Sequence, residues 1–267
     1  MKSFMTRLMS GIVLVAVLLA TGIVGGPVMF AFTLLISLIG YWEFLKVFGL
    51  EKNILGLLGF LFAVLYYAGM YLELSQAVTG ILIIGYLMAL MAVYVFTFPK
   101  YKTESILAAF FGFCYVPVML SFLYQIRMLP VEGKVTSVIY WLIFICSWGC
   151  DTCAYIVGML FGKHKMAPVL SPKKSIEGAI GGIAGAALLG YVYGMFFAAA
   201  PAVIAALCAV GAVVSQVGDL AASAIKRNHD IKDYGHLIPG HGGILDRFDS
   251  VIFTAPMIYT LAVLFLQ

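Results

Sequence analysis

Gln76-Ala-Val-Thr-Gly-Ile-Leu-Ile-Ile-Gly-Tyr-Leu-Met-Ala-Leu-Met-Ala-Val-Tyr-Val-Phe-Thr-Phe98 runs without a single charge. A helix of about 20 such residues, rising ~1.5 Å each, crosses the ~30 Å hydrocarbon layer of a bilayer. Similar runs recur from end to end, and breakers between them mark expected spans at residues 9–25, 27–47, 54–72, 76–98, 106–126, 137–161, 176–198, 201–225 and 248–266. The chain is 63% hydrophobic and 10% charged, with a mean hydropathy of +1.07, which excludes an ordinary soluble protein. The runs are too long for barrel strands and lack their alternation. We expect an all-α, polytopic helical membrane protein with about nine transmembrane helices. We expect residues 1–267 to form a single integral membrane domain, in which 1–136 are scaffold helices and 137–267 carry the functional helices and loops.

With a cytoplasmic N-terminus, 14 of the 16 lysines and arginines fall on the cytoplasmic side, leaving Arg127 and Lys134 outside. Such a bias sets orientation and requires an odd number of spans. The expected location is the cell membrane, inner or plasma, with multiple passes. The two longest hydrophilic loops, 162–175 and 226–247, then share the cytoplasmic side with the N-terminus. Lys2 and Arg7 before an apolar run imitate a signal peptide. Pro27 and a second apolar run follow closely, Gly25-Gly26 suits a tight hairpin, and a retained first span is expected.

The five cysteines lie in apolar segments and read as small buried hydrophobes. Cys150-Asp-Thr-Cys153 has no second ligand pair, so neither zinc nor redox chemistry is expected there. Gly158-x-x-x-Gly162-Lys163-His164 is one residue short of a phosphate-binding Walker loop and has His where Ser or Thr must stand. The small residues of Gly178–Ala186 at helical spacing read as a tight helix contact in lipid, with admission of a lipid headgroup at Gly181 and Gly182 as the alternative.

Polarity concentrates in residues 223–250, which hold four of the six aspartates and three of the four histidines. Crowding ionisable groups beside a membrane is costly, so the default reading is a functional site. Just upstream, Ser215, Asp219 and Ser223 repeat at i, i+4, i+8 and share one face of span eight. Asp219 lies about 10 Å inside the cytoplasmic end, where it needs a cation or a cavity. Asp246 and Asp249 open span nine, where the helix dipole alone favours acids. Should spans eight and nine pair antiparallel, however, three carboxylates approach one another, and Mg²⁺ suits such a set. In the other loop, Ser175 is a plausible N-cap, and free helix N–H groups beside Lys173 and Lys174 attract phosphate. Asp151, in the cytoplasmic half of span six, is expected to pair with a lysine of that loop. His229, His236 and His241 lack zinc spacing. His241, followed by Gly242 and Gly243, is the expected participant, because glycines admit a phosphate close to the backbone.

Three blocks, Asp151-Thr-x-Ala-Tyr-x-x-Gly158, Ser171-Pro-Lys-Lys-Ser-x-Glu-Gly-x-x-Gly-Gly182, and Ser223-x-x-Lys226-Arg227 leading to His241-Gly-Gly-x-x-Asp246-Arg247-x-Asp249, resemble the signature of the phosphatidate cytidylyltransferases, the CDP-diacylglycerol synthases. The resemblance covers residues 147–250 and implies transfer of CMP from CTP to phosphatidic acid with Mg²⁺. By motif position it implies Asp219, Asp246 and Asp249 as metal ligands. Lys226, Arg227 and His241 join Asp219 and Asp246 as catalytic groups, while Lys173, Lys174, Ser223, Arg247 and Asp151 bind substrate. The lipid bilayer is the partner, a homodimer is compatible with the sequence, and no nucleic acid is expected. Two other classes fit less well. A CTP-dependent lipid kinase does not call for the full His-Gly-Gly-x-x-Asp-Arg-x-Asp block. A transporter would place Asp151, Glu177 and Asp219 near the midplane, whereas here they gather towards one face.

Overall fold

The structure is a computed structural model that describes residues 2–129, 135–198, 200–240 and 242–265. Its helices are α1 (Lys2–Val24), α2 (Gly26–Val47), α3 (Ile54–Tyr71), α4 (Gln76–Phe96), α5 (Thr103–Met128), α6 (Val135–Phe144, Ile145–Gly149 and Cys150–Phe161), α7 (Ile176–Phe197), α8 (Pro201–Asn228) and α9 (Leu245–Phe265). Among the described residues, eight helices are long and apolar enough to cross a membrane, and α1 adds a shorter apolar stretch, Met9–Val24. The all-α polytopic expectation holds. Boundaries shift at the polar end: α8 continues to Asn228, and α9 opens at Leu245 rather than 248. The loop after α6 also folds into a small antiparallel hairpin, β1 (Lys165–Ala167) and β2 (Ser171–Ser175).

Helix ends follow local chemistry. Gly25 and Gly26 take positive φ, 67° and 49°, which glycine adopts without penalty, and they turn α1 directly into α2. Asn53 caps α3 by accepting from Leu55 N and Gly56 N, and Ser75 caps α4 through Val78 N. One wide, π-type turn interrupts α5 at Cys114–Val118, where Pro117 has no N–H to continue the ladder. Another, Ile145–Gly149, interrupts α6 just before Asp151.

The chain divides by its internal contacts into two compact units, residues 1–121 with 233–246, and residues 122–232 with 247–267. The sequence reading put its division at 136/137 and gave the 233–246 loop to the C-terminal part. In the first unit the core is aromatic, with Tyr41, Phe44, Tyr67, Tyr86 and Phe113 fully or almost fully buried. Tyrosine in an apolar core must find partners for its hydroxyl. Tyr41 Oη bonds Tyr86 Oη at 3.0 Å and donates to Ala109 O at 3.1 Å. Tyr67 Oη meets Ser37 Oγ at 2.6 Å and donates to Pro117 O at 3.3 Å, beside the proline turn. On α4 only Tyr86 and Leu90 are buried, and Ile81, Met88 and Phe96 stand exposed, as a lipid-facing helix requires.

The second unit packs through small residues. Gly178, Gly182, Ala186, Gly190 and Gly194 form a buried stripe along α7. A methyl at Gly182 would lie 2.9 Å from Cys150 Sγ on α6, and one at Gly194 would lie 2.8 Å from Pro201 on α8. The sequence reading of Gly178–Ala186 as a tight helix contact is therefore right. Helices α8 and α9 approach where Gly218 meets Phe253 and the Asp249 carbonyl, and again where Gly211 meets Ile258. Contacts rising in α9 as they fall in α8 make the pair antiparallel.

Candidate active site

The hairpin between α6 and α7 is built by the sequence that follows Gly162. Ser175 Oγ accepts from Gly178 N at 3.1 Å and caps α7, as its position predicted. Gly158 and Gly162, the near-Walker glycines, make room for that cap: a methyl at Gly158 would sit 3.1 Å from Ser175 Oγ. From the first turn of α7, Glu177 reaches back to the start of the hairpin. Its Oε2 accepts from Lys163 N at 3.1 Å and His164 N at 3.2 Å, and its Oε1 meets His164 Nδ1 at 2.6 Å.

Held in this way, the hairpin brings two lysines to a cavity of about 430 Å³ between α6, α7 and α8. Its polar side carries Asp151, Lys173, Lys174, Gln216 and Asp219, while Ala154, Tyr155, Met159 and Met166 supply an apolar wall. Lys174 Nζ is ion-paired with Asp219 Oδ2. The expected cation for Asp151 thus goes to Asp219, with Asp151 close enough to feel both charges and that of Arg247. Gln216, one turn before Asp219, donates to Ala179 O at 3.0 Å and fixes α8 against α7. It was not among the expected residues, although its place on the face that carries Asp219 was visible.

Other expected residues gather nearby in the same unit. Asp249 lies within electrostatic reach of Asp219, Asp151 and Lys226. Ser215, Ser223 and Lys226 are buried, which agrees with a polar stripe turned inward. Ser215 Oγ and Arg247 Nε are buried without a hydrogen-bond partner among the described residues. Arg227 is exposed, and its Nη1 donates to Ile231 O at 3.1 Å, closing the end of α8. His229 and His236 are surface residues. His241 lies outside the described residues.

Asp246 belongs to the first unit, and its Oδ2 accepts from Tyr234 N at 2.8 Å and Gly243 N at 3.0 Å. In the same loop, Ile244 N and Leu245 N donate to the carboxylate of Glu43, at 3.1 and 2.8 Å. Sequence reasoning passed over Glu43. Its signal was a single acid inside the apolar run of α2, a costly placement that marks function by default.

Residues 5–265 match the model of the cytidylyltransferase family. The chain belongs to that family. It is similar to the phosphatidate cytidylyltransferase of Bacillus subtilis, with 39% identity over 173 residues, covering 64% of this chain and 61% of the relative. The same named protein of Staphylococcus saprophyticus is 38% identical over 153 residues, covering 56% of each chain. That of Synechocystis sp. is 42% identical over 130 residues, covering 47% of this chain and 43% of the relative. The chain thus spans about half the length of the curated relatives it matches.

Whether this cytidylyltransferase-family chain has donors for Mg²⁺ turns on its carboxylates. Among the described residues no three His, Cys, Asp or Glu side chains converge as a ready metal cage. Mg²⁺ seldom needs one, because it keeps waters and takes one or two carboxylates together with substrate phosphates. Asp219 and Asp249, near neighbours of like charge in the second unit, are oxygen donors of the right kind, and the fit is adequate.

Proposed function

We propose that the chain transfers CMP from CTP to phosphatidic acid, giving CDP-diacylglycerol and pyrophosphate. The observation that carries this reading is the cavity in which Lys173, Lys174, Asp151 and Asp219 face a wall of Tyr155, Met159 and Met166. Cations for phosphate and an apolar surface for acyl chain stand side by side, in a cytidylyltransferase-family chain with eight helices fit to cross a bilayer among its described residues. A phosphate monoester oxygen of the lipid forms a bond to the α-phosphorus of CTP. The bond from that phosphorus to the bridging oxygen breaks, and pyrophosphate leaves with the electron pair. No side-chain nucleophile is required, so the protein's task is alignment and charge neutralisation.

Lys174 is held ready by Asp219 and exchanges that carboxylate for an incoming phosphate, while Lys173 at the rim attracts the anion. Asp219 and Asp249 would hold Mg²⁺, which when bound screens the phosphates and favours in-line displacement. Asp246, in the first unit, is kept as a metal ligand on its motif position alone. Lys226, Arg227 and Arg247 remain as clamps for the leaving pyrophosphate, with Ser223 and His241 as supporting polar contacts. The site faces the cytoplasm, in keeping with the distribution of basic residues.

The test uses purified protein, phosphatidic acid, Mg²⁺ and CTP labelled at either the α or the γ phosphate. Label from the α position is expected in the lipid product. Label from the γ position instead would make the protein a lipid kinase, and no lipid label from either would end the proposal.

A further inference from the structure

Glu43 is the single acid of α2 and is 1% exposed. The amides it receives, Ile244 N and Leu245 N, stand at the opening of α9, where a helix leaves its N–H groups without internal partners. Gly242, Gly243 and Ile244, just ahead of the helix, carry no side-chain oxygen to cap it. The cap comes instead from Glu43, 201 and 202 positions away in sequence. Asp246 supplies the reciprocal bond by accepting from Gly243 N, as the second half of a capping box does. Methyl groups at Gly235 or Gly243 would run into the Glu43 carboxylate, so the loop is shaped around it. A loop serine would cap α9 without burying an anion, which is costly unless well bonded. An anion placed on α2 does something a loop serine cannot: it ties residues 233–246 to the helices of their own unit.

We infer that Glu43 is a positioning residue for the reaction, holding Asp246 in place through the amides of Ile244 and Leu245. The inference rests on the reading that Asp246 serves in CMP transfer. Residues standing behind a metal site typically change affinity or activity by about 10- to 100-fold when altered. Hydrogen exchange on the protein without metal or substrate gives one readout, and the Mg²⁺ concentration for half-maximal CMP transfer gives another. In Glu43→Gln, exchange is expected to quicken across 233–246 and to stay unchanged in α3 and α4, with the Mg²⁺ requirement raised about 10- to 100-fold. If that variant does not fold, Gly243→Ala, which crowds the same carboxylate from the loop side, takes its place with the same expectation. Wild-type exchange in the loop would show the clamp to be wrong, and quickening throughout α3 and α4 would reduce Glu43 to packing. A loosened loop with an unaltered Mg²⁺ requirement would overturn the positioning role. Should Asp246→Asn turn over normally, the reading of Asp246 fails instead, and Glu43 is a helix cap alone.

Discussion

Two glutamates in this chain perform the same local task in opposite surroundings. Glu177 accepts from the backbone of Lys163 and His164 at the start of the hairpin, and Glu43 accepts from Ile244 and Leu245 at the end of the 233–246 loop. Each ties a loop that bears expected site residues to a transmembrane helix. Glu177 works at the surface, with a His164 partner that is 76% exposed, and water can replace what it gives. Glu43 works in the interior, at 1% exposure. Removing it strands buried N–H groups, each at a cost of about 1–3 kcal/mol. Burial, more than bond geometry, decides which loop depends on its clamp.

The largest effects should come from the ion pair that the surface clamp delivers. Asp219→Asn is expected to reduce CMP transfer to background while the protein still inserts and folds, because a neutral amide cannot replace an anionic oxygen ligand. Near-normal turnover at ordinary Mg²⁺ would remove Asp219 from the metal set. Lys174→Ala should follow, with kcat/KM reduced by about 10- to 150-fold, the worth of one charge-assisted phosphate contact. Lys173, exposed at the rim, should cost less. Equal kinetics for both alanine variants and the wild type would mean that the hairpin lysines only set topology, and the comparison of the loops would lose its functional side.

Next in size is the buried clamp, approached from the loop. Gly243→Ala forces a methyl against the Glu43 carboxylate, and overpacking of this kind costs about 1–3 kcal/mol. Thermal unfolding in detergent should show the loss. Glu43→Asp withdraws the carboxylate by one methylene, so the double variant should lose less than the sum of the two single losses. Strict additivity would separate Gly243 from Glu43 and break the picture of a loop shaped around a buried anion.

What could be read beforehand follows the range of the interactions involved. Hydropathy is local, and among the described residues it placed the helices within a few residues, except that α1 begins at Lys2 and not at 9. The Ser175 cap was equally legible, since donor and acceptor stand three residues apart. The loop that supplies a cation to the half-buried acids was also found, but the choice between Asp151 and Asp219 depends on how α6 and α8 flank the hairpin, which no spacing encodes. Glu43 was missed because its partners lie 201 and 202 residues away. A lone acid in an apolar helix says that something must satisfy it, and only the fold says what. The hairpin itself was hidden because Lys165–Ala167 and Ser171–Ser175 are too short and too polar to show a strand pattern.

The smallest expected effect tests the comparison most directly. Glu177→Gln keeps an acceptor for Lys163 N and His164 N and loses only the charge that faces His164. Surface ion pairs contribute little, because solvent screens them and long side chains lose freedom in forming them. The hairpin has two further supports, the Ser175 cap and the bond from Ile176 N to His164 O at 2.9 Å. Thermal unfolding and the KM for CTP should therefore match the wild type, while Glu43→Gln, the same chemical change in a buried site, alters both loop exchange and Mg²⁺ requirement. A loss in Glu177→Gln as large as that in Glu43→Gln would mean that the Glu177 charge acts on the nucleotide itself, and burial would no longer explain why the two clamps differ.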